Sequence, residues 1–199
     1  MDPGKCLSSI ELCQFAHFSE DDDLNTHLRR TFTHGDKYPL MWHYSNMKPN
    51  GLFFARNNEW LEWELEHVFI NDSKYKYSIH SQSCKNLKIY SIDDVKELVK
   101  CFKKYTYNVT IEGKVHILHD NTGRYNSHMS DWSLLRKKDY DGVHFTRNLI
   151  NERYTLHPNP DSVEYACYKL ICCLDVETIV IWNLKELSLV RENFDIDKF

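Results

Sequence analysis

Glycine and proline are scarce, with 6 and 5 among 199 residues. That excludes collagen-like and Pro/Gly-rich low-complexity chains and leaves few points where the backbone turns sharply. No run approaches the roughly 20 apolar residues that span a bilayer, and Met1-Asp2-Pro3-Gly4-Lys5 leads into no apolar stretch of signal-peptide length. No two cysteines have CxxC spacing, and no Cys/His spacing suits zinc. The cysteines are odd in number (Cys6, Cys13, Cys84, Cys101, Cys167, Cys172 and Cys173). Free thiols in a reducing, cytoplasmic or otherwise intracellular compartment are therefore expected, with no membrane partner. Positive charge is not in excess either: 25 Lys and Arg face 29 Asp and Glu, for a formal net charge of −4. A broad nucleic-acid surface needs concentrated cations. The short clusters Lys103-Lys104 and Arg136-Lys137-Lys138 read instead as solvated helix ends.

Aromatic residues make up 14% of the chain, apolar residues 42% and charged residues 27%. This composition and length suit one globular domain over 1–199 that buries its own core. Residues 1–38 read as an N-terminal helical and acidic extension, because Glu20-Asp21-Asp22-Asp23 suits the start of a helix over Leu24 to Arg30. Leu40 to Ser45 and Leu52 to Ala55 read as strands, separated by the turn-rich Asn46-Met47-Lys48-Pro49-Asn50-Gly51. Asn58 is placed to cap a helix over Glu59 to His67. Segments 68–90 and 105–119 are rich in Val, Ile and Tyr and predict strands. Ser91 is expected to cap a helix with the stripe Ile92, Val95, Leu98, Val99 and Phe102. Ser130 to Leu135 starts a short helix, and Asp139 to Phe145 turns into a strand. Residues 146–160 read as a loop, and Tyr165 to Leu174 suits helix or strand. A strand over 178–183 follows, and Leu187 to Val190 extends the sheet. The pattern is α+β, with strands outnumbering helices.

Three segments carry the chemistry. Glu177-Thr178-Ile179-Val180-Ile181-Trp182-Asn183 is a buried-strand pattern headed by an acid. Upstream lie Trp42-His43-Tyr44-Ser45 and Gly51-Leu52-Phe53-Phe54-Ala55. Together these resemble the ADP-ribosyltransferase superfamily, in the branch of the poly(ADP-ribose) polymerases and diphtheria-type toxins. There a first strand carries His with Ser two residues on, a second reads Gly-aliphatic-Tyr-Phe-Ala, and a late strand begins with Glu. Lys48-Pro49-Asn50-Gly51-Leu52-Phe53 and Trp60-Leu61-Glu62-Trp63 are also similar to a pattern in phage and large-virus proteins.

The resemblance implies a fold of split antiparallel β-sheets with flanking helices and an NAD cleft between them. It implies that His43 bonds the adenosine ribose and that Tyr44 and Ser45 hold the nicotinamide amide. Phe53 or Trp63 would stack on the nicotinamide ring, and Glu177 would stabilise the ribose cation. Phe53 stands where the family has Tyr, so a hydroxyl is missing, and Tyr44 stands where the polymerases have Gly. Asp175, two residues before Glu177, would help select the acceptor. The implied activity is mono-ADP-ribosyl transfer from NAD to a macromolecule, a protein before a nucleic acid, with no metal. Two alternatives stand beside it. One is an RNA 2′-phosphotransferase type on the same fold, which needs several arginines lining the cleft. The other is an inactive interaction module, of viral type, that keeps the scaffold.

The physical demand is independent of the family. Breaking the glycosidic bond of NAD develops positive charge on a ribose carbon. A fixed carboxylate in a water-poor cleft stabilises that charge more than the ground state. Other residues read as structural: His116 and His119 point to opposite faces of a strand, and Cys172-Cys173 reads as small buried hydrophobes. Asp141-Gly142 reads as a turn.

Overall fold

The computed structural model describes residues 6–19, 24, 48–49, 51–67, 74–104, 108–111, 114–117, 128–160, 162–185 and 187–195. It is an α+β structure built on a mixed sheet of seven strands. These are β1 (Phe15–Ser19), β2 (Leu52–Arg56), β3 (Tyr75–Ile79), β4 (Ile89–Ile92), β9 (Gly142–Phe145), β10 (Thr178–Ile181) and β11 (Leu189–Asn193). The order across the sheet is β11-β3-β1-β2-β10-β9-β4. Only β4 and β9 run parallel; the other neighbours are antiparallel. Two further ribbons pair β5 (Phe102–Lys104) with β8 (His128–Ser130) and β6 (Asn108–Ile111) with β7 (Lys114–Ile117).

Strands β9 and β10 sit next to one another and are buried along their whole length. Their β-branched and apolar composition suits strands covered on both faces. One face carries Phe15, Phe54, Ile89, Ile179 and Ile181 and packs with Leu12, Cys84 and Leu87. Leu12 comes from helix α1 (Ser9–Leu12) and Cys84 from α3 (Ser81–Asn86). The other face carries Val143, Phe145 and Val180. It is covered by α4 (Val95–Val99), α5 (Ser133–Arg136), α6 (Arg147–Asn151) and α7 (Val163–Cys172). In α7, Ala166, Cys167, Leu170 and Ile171 are fully buried, and a buried Leu or Ile contributes about 1.5–3 kcal/mol. Helix α2 (Glu59–Glu66) lays Leu61 against Ala16 and Phe18 of β1.

Two glycines let the central strands meet. A Cβ on Gly51 would lie 2.6 Å from the Ile181 carbonyl oxygen, and one on Gly142 would lie 2.5 Å from that of Val180. Gly142 is thus required by close backbone approach, beyond the turn expected of Asp141-Gly142.

The pairing of β1 with β2 is short. Their register covers only Phe15–Arg56 and Ala16–Ala55, whereas β2 and β10 stay paired from Ala55–Thr178 to Leu52–Ile181. Where the β1–β2 ladder stops, the His17 ring reaches the Phe53 carbonyl oxygen, with Nδ1 2.8 Å away.

Several local expectations are corrected. Phe15–Ser19, inside the segment expected as an acidic extension, is a strand within the sheet. Ser91 lies in β4; Asp94 caps α4 instead, its carboxylate accepting from the Glu97 N–H. Asn58 precedes α2 without a side-chain cap bond. Residues 146–160 are not loop throughout, because Thr146 caps α6 and a 3-10 turn (Glu152–Tyr154) follows. The ambiguous 165–174 segment is helical from Val163, with Ser162 capping Tyr165. The strand expected over Leu40 to Ser45 and the helix expected over Leu24 to Arg30 lie outside the described residues, except for the buried Leu24.

Candidate functional site

Glu177 sits at the mouth of β10, in the turn joining it to α7. The strands on either side of β10 bring partners to it. Thr178 is in register with Ala55, so Arg56 at the end of β2 lies beside Glu177, and the Arg56 N–H donates to the Glu177 carbonyl at 3.1 Å. On the other side Ile179 is in register with His144, and alternation along the strands turns His144 and Glu177 to one face.

Glu177 is 5% exposed, and its carboxylate meets two side chains. Arg56 donates one nitrogen to both oxygens, at 3.1 and 3.2 Å. His144 approaches Oε1 through Nε2 at 2.9 Å. The other ring nitrogen, Nδ1, is 3.0 Å from the Ser91 hydroxyl, Ser91 being the register partner of His144 on β4. With the carboxylate ionised, Nε2 carries the proton and donates, and in the neutral ring Nδ1 accepts from Ser91. The result is a line of hydrogen bonds from hydroxyl to imidazole to carboxylate to guanidinium.

A second ring of contacts holds the first. Arg56 also donates to the Gln14 side-chain oxygen at 2.9 Å. Phe15 meets the His144 ring edge-on, with centroids 5.4 Å apart. Glu59, from the first turn of α2, accepts from the Glu177 backbone N–H at 3.1 Å and pairs with Arg147. Burial acts to raise the Glu177 carboxyl, but hydrogen bonding and charge from His144, and then from Arg56, outweigh it and hold the group below the usual carboxylate range. Glu11 is also held low, first by hydrogen bonds from Ser8 in a capping box. The charges of His144 and Arg56 contribute after these.

The expected site residues divide into three groups. Glu177, at the head of β10, and Phe53, on the neighbouring β2, lie on opposite faces of the sheet: Phe53 is the register partner of Val180 and packs on its face, whereas Glu177 meets His144, the register partner of Ile179, on the other. Phe53 is half-buried, with the Lys48 ammonium 5.8 Å from its ring centroid. Trp63 lies on α2, stacked on Trp60 at 5.2 Å and on His67 at 4.5 Å. Asp175 and Glu177 both precede β10, whose first residue is Thr178, so they do not share a strand face. His43, Tyr44 and Ser45 lie outside the described residues.

The residues that sequence reasoning missed are His144, Arg56 as a carboxylate partner, Ser91 and His17. His144 left one signal. It stands in a strand whose other members are Gly142, Val143 and Phe145, and a buried imidazole needs a polar partner. The arginines needed for a phosphate site are otherwise occupied among the described residues. Arg56 and Arg147 are paired to Glu177 and Glu59, Arg136 lies over the Trp182 ring, and Arg153 donates to the Leu174 carbonyl. No group of three His, Cys, Asp or Glu suited to a metal occurs among the described residues, and no helix there is long and apolar enough to cross a membrane. Compared with known proteins, the chain matches no family model, no curated protein and no solved structure.

Proposed function

We propose that the protein is an NAD-dependent mono-ADP-ribosyltransferase acting on a macromolecular acceptor, a protein before a nucleic acid. The observation that carries this reading is the adjacency of three strands. β1 bears His17-Phe18-Ser19, β2 follows Gly51 with Leu52-Phe53-Phe54-Ala55, and β10 is headed by Glu177; they lie side by side in the order β1-β2-β10. These are the strand types of the resemblance, in the same chain order. The short β1–β2 ladder supports a sheet that opens between its first and second motif strands. In this reading His17 takes the role that sequence alone suggested for His43, and a split transferase-like sheet is the finer description of the α+β fold.

In the reaction the bond between the ribose carbon and the nicotinamide nitrogen breaks, and nicotinamide leaves neutral with the bonding pair. The acceptor's nucleophile then bonds to that carbon and loses its proton. The ionised Glu177 carboxylate opposes the positive charge that grows on the sugar. Arg56 and His144 keep it ionised and fix its orientation, which is the positional control such a step rewards. Oε1 already accepts from both partners, whereas Oε2 accepts from Arg56 alone among the described contacts. A carboxylate oxygen has capacity for a second donor, so Oε2 is the atom for a ribose hydroxyl.

One observation favours a second reading, an inactive interaction module: the acid that should face substrate is almost fully buried and ion-paired. Thermal melts with NAD and with nicotinamide separate the two. The transferase reading predicts that both ligands raise the melting temperature and that His17→Ala weakens the response to NAD. No shift with either ligand contradicts it and supports the module.

A further inference from the structure

We propose that Cys13 and Cys84 are an oxidative modification site, a thiol pair that a peroxide closes into a disulfide clamping the N-terminal end of β1 onto α3. The two sulfurs are already in contact, with the Cys13 thiol donating to the Cys84 sulfur at 3.0 Å across 71 positions of sequence. They come together because α1, which Cys13 terminates, packs on α3. The pair is asymmetric in access: Cys13 is exposed and Cys84 is 2% exposed. Burial, followed by the hydrogen bond from Cys13, pushes the Cys84 thiol up to about 12, so Cys84 keeps its proton and Cys13 meets the oxidant first.

The chemistry balances with hydrogen peroxide as oxidant. The Cys13 sulfur attacks one peroxide oxygen, the O–O bond breaks, and a sulfenic acid and one water result. The Cys84 sulfur then attacks the Cys13 sulfur. The S–O bond breaks, and the departing hydroxide takes the Cys84 thiol proton as a second water. Two thiols are oxidised and the peroxide is reduced. In a reducing compartment such a bond is transient and regulatory. Cys101 and Cys167 are buried, and burial raises both thiols, which leaves them inert by comparison.

Location gives the bond a consequence. The two residues after Cys13 touch the carboxylate cluster. Gln14 accepts from Arg56 through its side chain, and from the Asn57 N–H at 2.6 Å through its carbonyl, while Phe15 packs on His144. Closing the pair therefore fixes the segment that buttresses Arg56 and His144, and the long loop it closes restricts the unfolded chain. The inference does not depend on the transferase reading.

The test treats the full chain with hydrogen peroxide, alkylates remaining thiols and maps peptides without reduction. The expected product is a Cys13–Cys84 peptide pair that dithiothreitol separates, together with a higher melting temperature that Cys13→Ser does not gain. Recovery of Cys13 as a sulfinic acid, or joined to Cys6 or Cys172 while Cys84 becomes alkylatable only after unfolding, overturns the proposal. The wild-type peptide map decides the matter even where a Cys84 variant folds poorly.

Discussion

Two acids stand at opposite ends of the same pair of central strands, and they are wired differently. Asp141, just before β9, accepts the Lys88 N–H at 2.8 Å and the Asn183 side-chain amide at 2.5 Å, while its carbonyl accepts the Trp182 and Asn183 N–H groups. Its partners are backbone and amide groups, which do not titrate. Glu177, just before β10, is held by a guanidinium and an imidazole, and the imidazole is held by a hydroxyl. The first arrangement ties β4, β9 and the end of β10 together and has no chemical variable left. The second places a buried negative charge between a guanidinium and an imidazole, with one carboxylate oxygen that can accept from another donor. An acid bound by backbone is a fastening; an acid bound by ionisable side chains is a candidate reagent.

Removal of each acid is the hardest strain on that contrast. Glu177→Ala leaves Arg56 and the buried His144 without their shared acceptor. Because Arg56 can rehydrate, the expected loss is about 3 kcal/mol, at the low end for a broken buried pair, read by urea denaturation. Asp141→Ala removes two hydrogen bonds to a charged acceptor and is expected to lose about 2 kcal/mol in the same assay. It should leave the melting response to NAD intact, which distinguishes fastening from reagent.

Acid pH sharpens the contrast without mutation. The Glu177 carboxyl is held below the usual range in the folded state. Its contribution is therefore present above the ordinary carboxylate pKa and is lost as pH falls from that value through the lower folded one. The stability gap between wild type and Glu177→Gln should narrow over that acid window, when followed by denaturant titration at successive pH values. A gap that stays constant there would mean the carboxylate is not the ionised partner described. The smallest effect is expected from Ser91→Ala, which removes one neutral donor to His144 and should cost about 1 kcal/mol by the same titration.

Much of this arrangement is legible in the sequence, but only element by element. The β-branched run Thr178-Ile179-Val180-Ile181 after Glu177 declares a buried strand with an acid at its mouth, and Leu52 to Ala55 declares its neighbour. What was hidden is which remote residues meet. The guanidinium and imidazole come from positions 121 and 33 residues away from Glu177, and only sheet register decides that they converge. Ser91 misled for a local reason. A serine before Ile92-Asp93-Asp94 satisfies a helix-cap pattern, yet the helix waits for Asp94 because Ile89–Ile92 is needed as the strand beside β9. β1 was hidden because Phe15–Ser19 is short and stands near an acidic cluster that draws the eye toward a helix start. With β1 went His17, the histidine that lies on the strand beside β2.

The central claim is that Glu177 is a reagent and Asp141 a fastening, and nicotinamide release from NAD by Glu177→Gln and Asp141→Asn in parallel tests it most directly. The account predicts that the Glu177 variant, folded by circular dichroism, loses release by about 10²–10³-fold, the scale of removing one preorganised electrostatic group, while the Asp141 variant releases at close to the wild-type rate. Equal release by both variants and wild type, or none from wild type, would contradict it.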